Sequence, residues 1–231
     1  MKKLVVLSGA GVSAESGIRT FRDSDGLWEN YPVEDVASID GWYRNPGLML
    51  QFYNERRRQL EGCRPNRAHE IIAELENWYD VTVVTQNVDN LHERAGSTKI
   101  IHLHGELTKV RPENSLNSGV RDIGYRDVNL GDTDEHGVQL RPHIVWFGEA
   151  VPELERAARA VSQADILLII GTSLNVYPAA GLYQYLKVGN PIYLVDPKPI
   201  SIPYRYFRQI QEPATKGMEK LKQILVEPED E

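Results

Sequence analysis

Cysteine is almost absent from this 231-residue chain: Cys63 is the only one. A single thiol cannot close an intramolecular disulfide or build a cysteine-only zinc site, and it fits a reducing compartment. Long apolar runs are absent too. The longest, such as Ile166–Ile170, have the length of a strand and cannot span a bilayer. Met1-Lys2-Lys3 passes at once into the apolar residues 4–7, with no h-region or cleavage site. The expectation is a soluble, cytoplasmic protein with no membrane partner. Nor is there an excess of positive charge. The net charge of −7 leaves no global footprint for a polyanion, so no specific nucleic-acid partner is expected. The one dense basic patch, Arg56-Arg57-Arg58, lies beside Glu55 in a helical pattern and reads as a solvated helix face.

What is present suffices for one domain of ordinary size with a small appended lobe: 41% of residues are hydrophobic and 8% aromatic. Short, nearly continuous apolar runs occupy residues 4–7, 81–84, 100–103, 166–170 and 192–195. Such runs suit a parallel sheet buried on both faces. Helical patterns lie between several of them. Residues 68–78 place Ile71, Ile72, Leu75 and Trp78 on one face, residues 153–161 follow Pro152, and Pro213 opens a last helix. Alternating strand and helix predicts an α/β fold, a Rossmann-like, doubly wound parallel sheet. Two stretches break the rhythm. Residues 28–64 carry a strong helix at 48–60 with no strand partner, and residues 111–140 are polar and glycine-rich. The second is either a small antiparallel excursion or a mobile loop, since its composition supports no core of its own. The whole chain then forms a single catalytic domain. Its large lobe comprises residues 1–27, 65–110 and 141–231, and its small lobe residues 28–64 and 111–140.

Three polar segments fall where strands end, the ligand-binding edge of an open α/β sheet. The first, Ser8-Gly9-Ala10-Gly11, lets backbone N–H groups approach a pyrophosphate, with a helix dipole behind it. It runs into Ile18, Arg19, Phe21 and Arg22, a mixed apolar and cationic stretch that ends at Asp25-Gly26, a turn signal. The others are Gln86-Asn87-Val88-Asp89 and Gly171-Thr172-Ser173. On a strand, His102 and His104 share a face. They are either satisfied polar histidines or a metal pair, for which no third ligand is evident. His104, beside Gly105, is the better general-base candidate, with the glycine leaving room for substrate.

At these residues the chain resembles the sirtuins, the NAD-dependent protein-lysine deacylases. The matching stretches are GAGVSAESGIRTFR, TQNVDNLHERAG, HLHGE, VWFGE and GTSLNVYPAA, in family order. The resemblance implies a bacterial-type enzyme that transfers an acyl group from lysine to NAD, releasing nicotinamide, free lysine and O-acyl-ADP-ribose. It implies that Gly9, Ala10, Gly11 and Ser13 line the pyrophosphate turn, with Arg19, Phe21 and Arg22 in a flap over the nicotinamide ribose. Gln86, Asn87 and Asp89 would hold the ribose and the carboxamide, Asp89 helped by Ile18. Gly171, Thr172, Ser173, Asp196 and Ala214 would face the adenosine. Asn87 and His104 are the catalytic candidates, His104 as base on the ribose hydroxyls. An acyl-lysine protein or peptide is the implied partner, lying as an added strand between Phe147-Gly148-Glu149 and the segment around Val176. Val145 and Phe147 would wall the lysine tunnel.

Tyr53 and Arg56, spaced i,i+3 on one helix face, resemble the Tyr-x-x-Arg pair of the branch that prefers acidic acyl groups, with Ala37 leaving room for the longer chain. A guanidinium and a phenol suit a buried carboxylate. The expectation is therefore desuccinylase and demalonylase activity alongside deacetylase activity. On spacing alone, Arg57 serves equally well, and an exposed pair on an amphipathic helix is the plainer reading.

One departure from the family stands out. The interval 111–140 lacks the four cysteines that bind structural zinc in most sirtuins, so no zinc is expected and the order of this lobe is in question. Asp132, Asp134, Glu135 and His136 read as a solvated acidic loop rather than a substitute metal site. A monomer is the expected state. The alternatives are a mono-ADP-ribosyltransferase using the same pocket and a non-catalytic module binding NAD or ADP-ribose. A hydride-transferring dehydrogenase fits poorly, because the opening loop lacks the usual fingerprint spacing.

Overall fold

The structure, a computed structural model, describes residues 1–18, the backbone of 27–28, and residues 31–116 and 118–226. The chain runs through β1 (Lys3–Ser8), β2 (Leu27–Trp28) and β3 (Tyr31–Pro32), then the helices α1 (Val33–Val36), α2 (Ile39–Arg44), α3 (Pro46–Gly62) and α4 (Arg67–Glu74). Next come β4 (Asp80–Thr85), α5 (Leu91–Ala95), β5 (Ile100–His102), β6 (Gly105–Pro112), β7 (Arg121–Asp122) and β8 (Leu140–Ile144). The last elements are α6 (Leu154–Ser162), β9 (Ile166–Ile170), β10 (Ile192–Val195), β11 (Phe207–Ile210) and α7 (Ala214–Val226). Among the described residues no helix is long and apolar enough to cross a membrane.

Six strands form a parallel sheet in the order β11-β10-β9-β1-β4-β5. This is the doubly wound Rossmann-like order, which reverses between β1 and β9. The apolar runs are continuous because alternate residues enter two different cores. Leu4, Val6, Val81, Val83 and Leu168 pack on one face against Ile71 and Ile72 of α4 and Met218 and Leu221 of α7. Val5, Leu7, Val84, Leu167 and Ile169 pack on the other against Ala157 and Val161 of α6.

Trp78 leaves the face assigned to it. α4 ends at Glu74 and tightens into a helical turn at Leu75–Asn77, which changes the phase of the side chains, and Trp78 is left 44% exposed.

A third core lies outside this sheet. Met49, Leu50, Phe52, Tyr53 and Leu60 of α3 pack with Trp42, Leu107, Val110, Val128, Ile144 and Trp146. Of the two readings left open for residues 111–140, the antiparallel excursion is the one found: β6 pairs with both β7 and β8. Among the described residues of 111–140 only Val128 enters this core fully, so the segment closes over α3 rather than folding around itself.

Arg57 corrects the reading of the basic patch. It is fully buried and donates to the carbonyls of Arg126 and Leu107 and to Asn54 Oδ1. Burial lowers its pKa to about 10. Arg58 binds Asp127 at 2.6 Å. Only Arg58, with its side chain 53% exposed, faces solvent, because the chain from 126 to 128 lies over the rest of the patch.

Candidate active site

The loops after β1 and β9 meet where the strand order reverses, and they are bonded to each other. Gly9 N donates to Ile170 O at 3.0 Å and Gly11 N to Gly171 O at 2.8 Å. A Cβ on Gly9 would come within 2.7 Å of Thr172 Cβ, and one on Gly11 within 2.7 Å of Gly171 Cα. These glycines are therefore required by loop-to-loop packing, and their N–H groups are spent on it. The loop winds into two short turns, Ala10–Val12 and Ala14–Ser16, instead of a helix with a dipole. Glu15 reaches from the second turn to accept from Thr215 N and Thr215 Oγ1 at 2.9 and 2.8 Å. That contact ties the start of α7, where Ala214 is buried, to the opening loop.

After β4 the chain carries Gln86, Asn87 and Asp89 into the same crevice. Gln86 Nε2 donates to Thr172 Oγ1 at 3.2 Å, and Asn87 Nδ2 donates to Gly9 O and Ser13 Oγ, each at 3.2 Å. Ser13 Oγ donates to Asp89 Oδ2 at 3.0 Å, and Leu91 N donates to Asp89 Oδ1 at 3.1 Å. Burial raises the Asp89 carboxyl above its ordinary value, opposed by these two bonds. Ile18 packs at the edge of the third core, and Ser173 is half-buried. Asp196, 1% exposed after β10, accepts from Lys198 N at 3.0 Å. Arg19, Phe21 and Arg22 lie outside the described residues.

The two histidines have different partners. His104 Nδ1 lies 3.0 Å from Gln86 O, and burial lowers the pKa of the ring. A nitrogen facing a carbonyl carries the proton, so Nε2 of the neutral ring is the basic one. His102 Nδ1 lies 3.2 Å from Asn87 O and its Nε2 lies 2.6 Å from Glu93 Oε1. The fold does not complete a metal pair of His102 with His104; it gathers a different set, in which ligand atoms of Glu93, His102 and Glu106 lie within 4.8 Å of one another. Internal pairing accounts for them, since Glu93 binds His102 and Glu106 binds Lys109 at 2.7 Å. Gly105 makes room for backbone rather than substrate: a Cβ there would stand 1.9 Å from His143 O.

Across the crevice, Phe147 N donates to Ala37 O at 2.9 Å and Ile39 N to Phe147 O at 3.0 Å. The two segments named for the acyl chain are thus neighbours. Phe147 is 50% exposed, while Val145 and Val176 are half-buried. Gly148 has φ +90°, and a Cβ there would lie 2.9 Å from Ile39 Cγ2. The Glu149 carboxylate turns inward, binding Arg141 through both oxygens at 2.8 and 2.9 Å, Arg111 at 3.2 Å and Trp146 N at 2.9 Å. Its side chain is a pillar of the lobe and is not available to a peptide.

Tyr53 is fully buried, so the plain reading of an exposed pair on α3 fails. Its hydroxyl accepts from Trp146 Nε1 at 2.8 Å, and burial pushes its pKa up. The Arg56 side chain is 17% exposed and lies over the Phe52 ring at 5.1 Å. Arg57, the alternative at i,i+4, is committed to the lobe interior.

The residues do not fit the structural zinc common in sirtuins. The one thiol, Cys63, donates to Gln59 O at the end of α3, and no cysteine lies between 111 and 140. Among the described residues, the only metal-capable cluster is the one around His102. In the acidic loop, Asp134 Oδ1 instead accepts from His136 N and Val138 N, each at 2.9 Å.

The family comparison agrees with this geometry. The Sir2 family profile matches residues 9–178, from the first glycine of the opening loop to beyond the third polar segment. The chain belongs to the Sir2 family. A relative from Bacteroides thetaiotaomicron, described as an NAD-dependent protein deacylase, is 57% identical over 98% of this chain and 99% of its own. A solved Sir2 homologue–NAD complex superposes with a TM-score of 0.87 at 39% identity, covering 97% of this chain and 90% of the other. A Sir2 homologue complex with 2'-O-acetyl ADP-ribose gives 0.87 at 38% identity, covering 97% and 92%. His69, whose Nε2 lies 3.3 Å from Ser13 Oγ, was not singled out from sequence. The signal available was its place three residues after Asn66, the third position of a capping box.

Proposed function

We propose that this chain is an NAD-dependent protein-lysine deacylase that consumes NAD as co-substrate and prefers succinyl- and malonyl-lysine to acetyl-lysine. The observation that carries the reading is His104, a neutral imidazole whose Nδ1 is held by Gln86 O and whose Nε2 is left as the base. The curated relative's name and the complexes of Sir2 homologues with NAD and 2'-O-acetyl ADP-ribose support it.

NAD supplies an electrophilic anomeric carbon and a leaving nicotinamide. The chain's own groups orient it and exclude water. Gly9, Ala10 and Gly11 form the pyrophosphate side with Ser13 packed behind them, and the Ala10 N–H makes no hydrogen bond to another described residue. Gly171, Thr172, Ser173, Asp196 and Ala214 form the adenosine side. Gln86 and Asn87 hold the ribose, while Asp89, with Ile18 beside it, accepts from the carboxamide. His104 takes the proton from the ribose hydroxyl that receives the acyl group. The peptide pairs through backbone near Phe147, Gly148 and Val176, with the Glu149 backbone included and its carboxylate not. The lysine chain passes between Val145 and Phe147. Ala37 gives room at the far end, where Arg56 and Tyr53 meet the distal carboxylate.

Mass spectrometry of products from NAD with matched acetyl, malonyl and succinyl peptides tests this. Equimolar nicotinamide and O-acyl-ADP-ribose are expected, with the higher kcat/KM on succinyl. ADP-ribose attached to protein without acyl peptide would replace the reading with transferase activity. NAD binding without nicotinamide release would reduce it to a binding module. Equal or better kcat/KM on acetyl peptide would remove the acyl preference alone.

A further inference from the structure

We propose that His69, on α4 behind the crevice, is a positioning residue that sets the direction of hydrogen bonding at Asp89 and so makes the site select a pyridine carboxamide over a pyridine carboxylate. The proposal rests on the reading of this crevice as the NAD site.

The proton inventory is closed. Asn66 N donates to His69 Nδ1 at 3.3 Å, so that nitrogen carries no proton. Burial holds the ring neutral, lowering its pKa to about 4. Its single proton is therefore on Nε2, which lies 3.3 Å from Ser13 Oγ and donates to it. Asn87 Nδ2 donates to the same oxygen at 3.2 Å. Both lone pairs of the Ser13 hydroxyl are then used, and its one proton goes to Asp89 Oδ2 at 3.0 Å. Without His69 that hydroxyl could rotate, and a buried carboxyl already raised toward protonation could become the donor. With His69 in place, Asp89 is kept as an acceptor. An acceptor binds the N–H2 of an amide and repels a carboxylate. His69 is fully buried, and its ring stands edge-on to His92 at 4.9 Å, whose Nε2 is 2.9 Å from Ser8 Oγ.

Two substitutions separate this role from a purely structural one. His69→Asn places an acceptor near the Nδ1 position and keeps the cap on Asn66 N, but it cannot reach Ser13. His69→Gln places an N–H donor near the Nε2 position. By calorimetry, His69→Asn is expected to weaken nicotinamide binding about five- to tenfold, the loss of one buried hydrogen bond. ADP-ribose affinity should stay within about twofold, and the preference for nicotinamide over nicotinic acid should narrow. His69→Gln should recover most of the loss. Unchanged nicotinamide binding in His69→Asn, equal weakening of nicotinamide and ADP-ribose, or failure of His69→Gln to recover would each overturn the proposal. Should His69→Asn not fold, nitrogen NMR of the wild-type ring decides: an Nε2–H tautomer is expected, and Nδ1–H overturns it. These readouts need no turnover. A wild-type protein that releases no nicotinamide from NAD with acyl-lysine peptide overturns the deacylase reading instead.

Discussion

The two lobes are held together by different physics. In the large lobe, the strands beside the crevice are apolar on both faces, and the site is formed by loops pressed backbone to backbone. In the small lobe, which as folded is α3 with the antiparallel sheet of β6, β7 and β8 and so also takes in residues 105–110 and 141–149, charge is buried. Arg111 and Arg141, with side chains 3% and 1% exposed, share the Glu149 carboxylate, and the Arg141 guanidinium lies 3.4 Å from the centroid of the Trp146 ring. This cluster ties β6 and β8 to the segment that reaches Ala37. It sits in the lobe where the family resemblance would otherwise place a structural zinc. A metal binds ligands that are costly to leave unpaired, and a buried ion cluster imposes the same all-or-none demand. Both lobes therefore bury polar groups, the large one as a hydrogen-bonded chain at the crevice and the small one as paired ions.

If chemistry belongs to the large lobe and acyl choice to the small one, His104→Ala should lower kcat for every acyl peptide alike, by roughly 10²–10⁴-fold. A loss confined to one acyl class, in steady-state assays, would break the division. Next in size is Glu149→Ala, which leaves two guanidinium groups buried without their partner, at a cost of about 3–5 kcal/mol. Hydrogen exchange should show lost protection in β6 and β8 while β1 and β9 keep theirs; uniform loss would mean that the lobes do not differ in this way. The same cluster has a pH signature. Burial raises the Glu149 pKa, but Arg141 and the other donors outweigh it, and the net shift is below the ordinary 4.5. Its stabilisation is therefore complete above that pH and lost as pH falls through the lower folded value. The small lobe should loosen only in that acid range.

Smaller in effect, Arg56→Met should lower kcat/KM for succinyl peptide by about tenfold or more while acetyl turnover changes by less than about threefold, the difference reflecting one charge-assisted contact. Parallel losses would detach the small lobe from acyl choice. The smallest expected effect is none: purified protein should contain no stoichiometric zinc by metal analysis, and a chelator should leave its Tm unchanged.

Legibility in the sequence followed the range of the interactions. The strand runs were readable because a doubly buried strand must be apolar at every position, and residues 192–195 and 166–170 carry that demand locally. The strand-end polar segments were readable for the same reason: a strand stops where polarity resumes. Arg57 was not readable, because the backbone carbonyls that hold it lie 50 and 69 residues away and leave no mark in its own neighbourhood. The inward turn of the Glu149 carboxylate was not readable either, because Arg111, 38 residues away, and Arg141 are brought to it only by the pairing of β6 with β8. Trp78 fell off its assigned face because one tightened turn shifts the phase of everything after it.

Local pattern by itself determined the α/β class and where the crevice lies, and motif order determined the family, since both depend on residues adjacent in the chain. Only the tertiary structure decided what the special residues are for. Gly9, Gly11 and Gly105 are bare because other backbone passes against them, and Asp89 is an acceptor because His69 and Asn87 close off Ser13. Those constraints act between segments that touch only after folding, where excluded volume and unpaired protons in a dry interior leave a single arrangement.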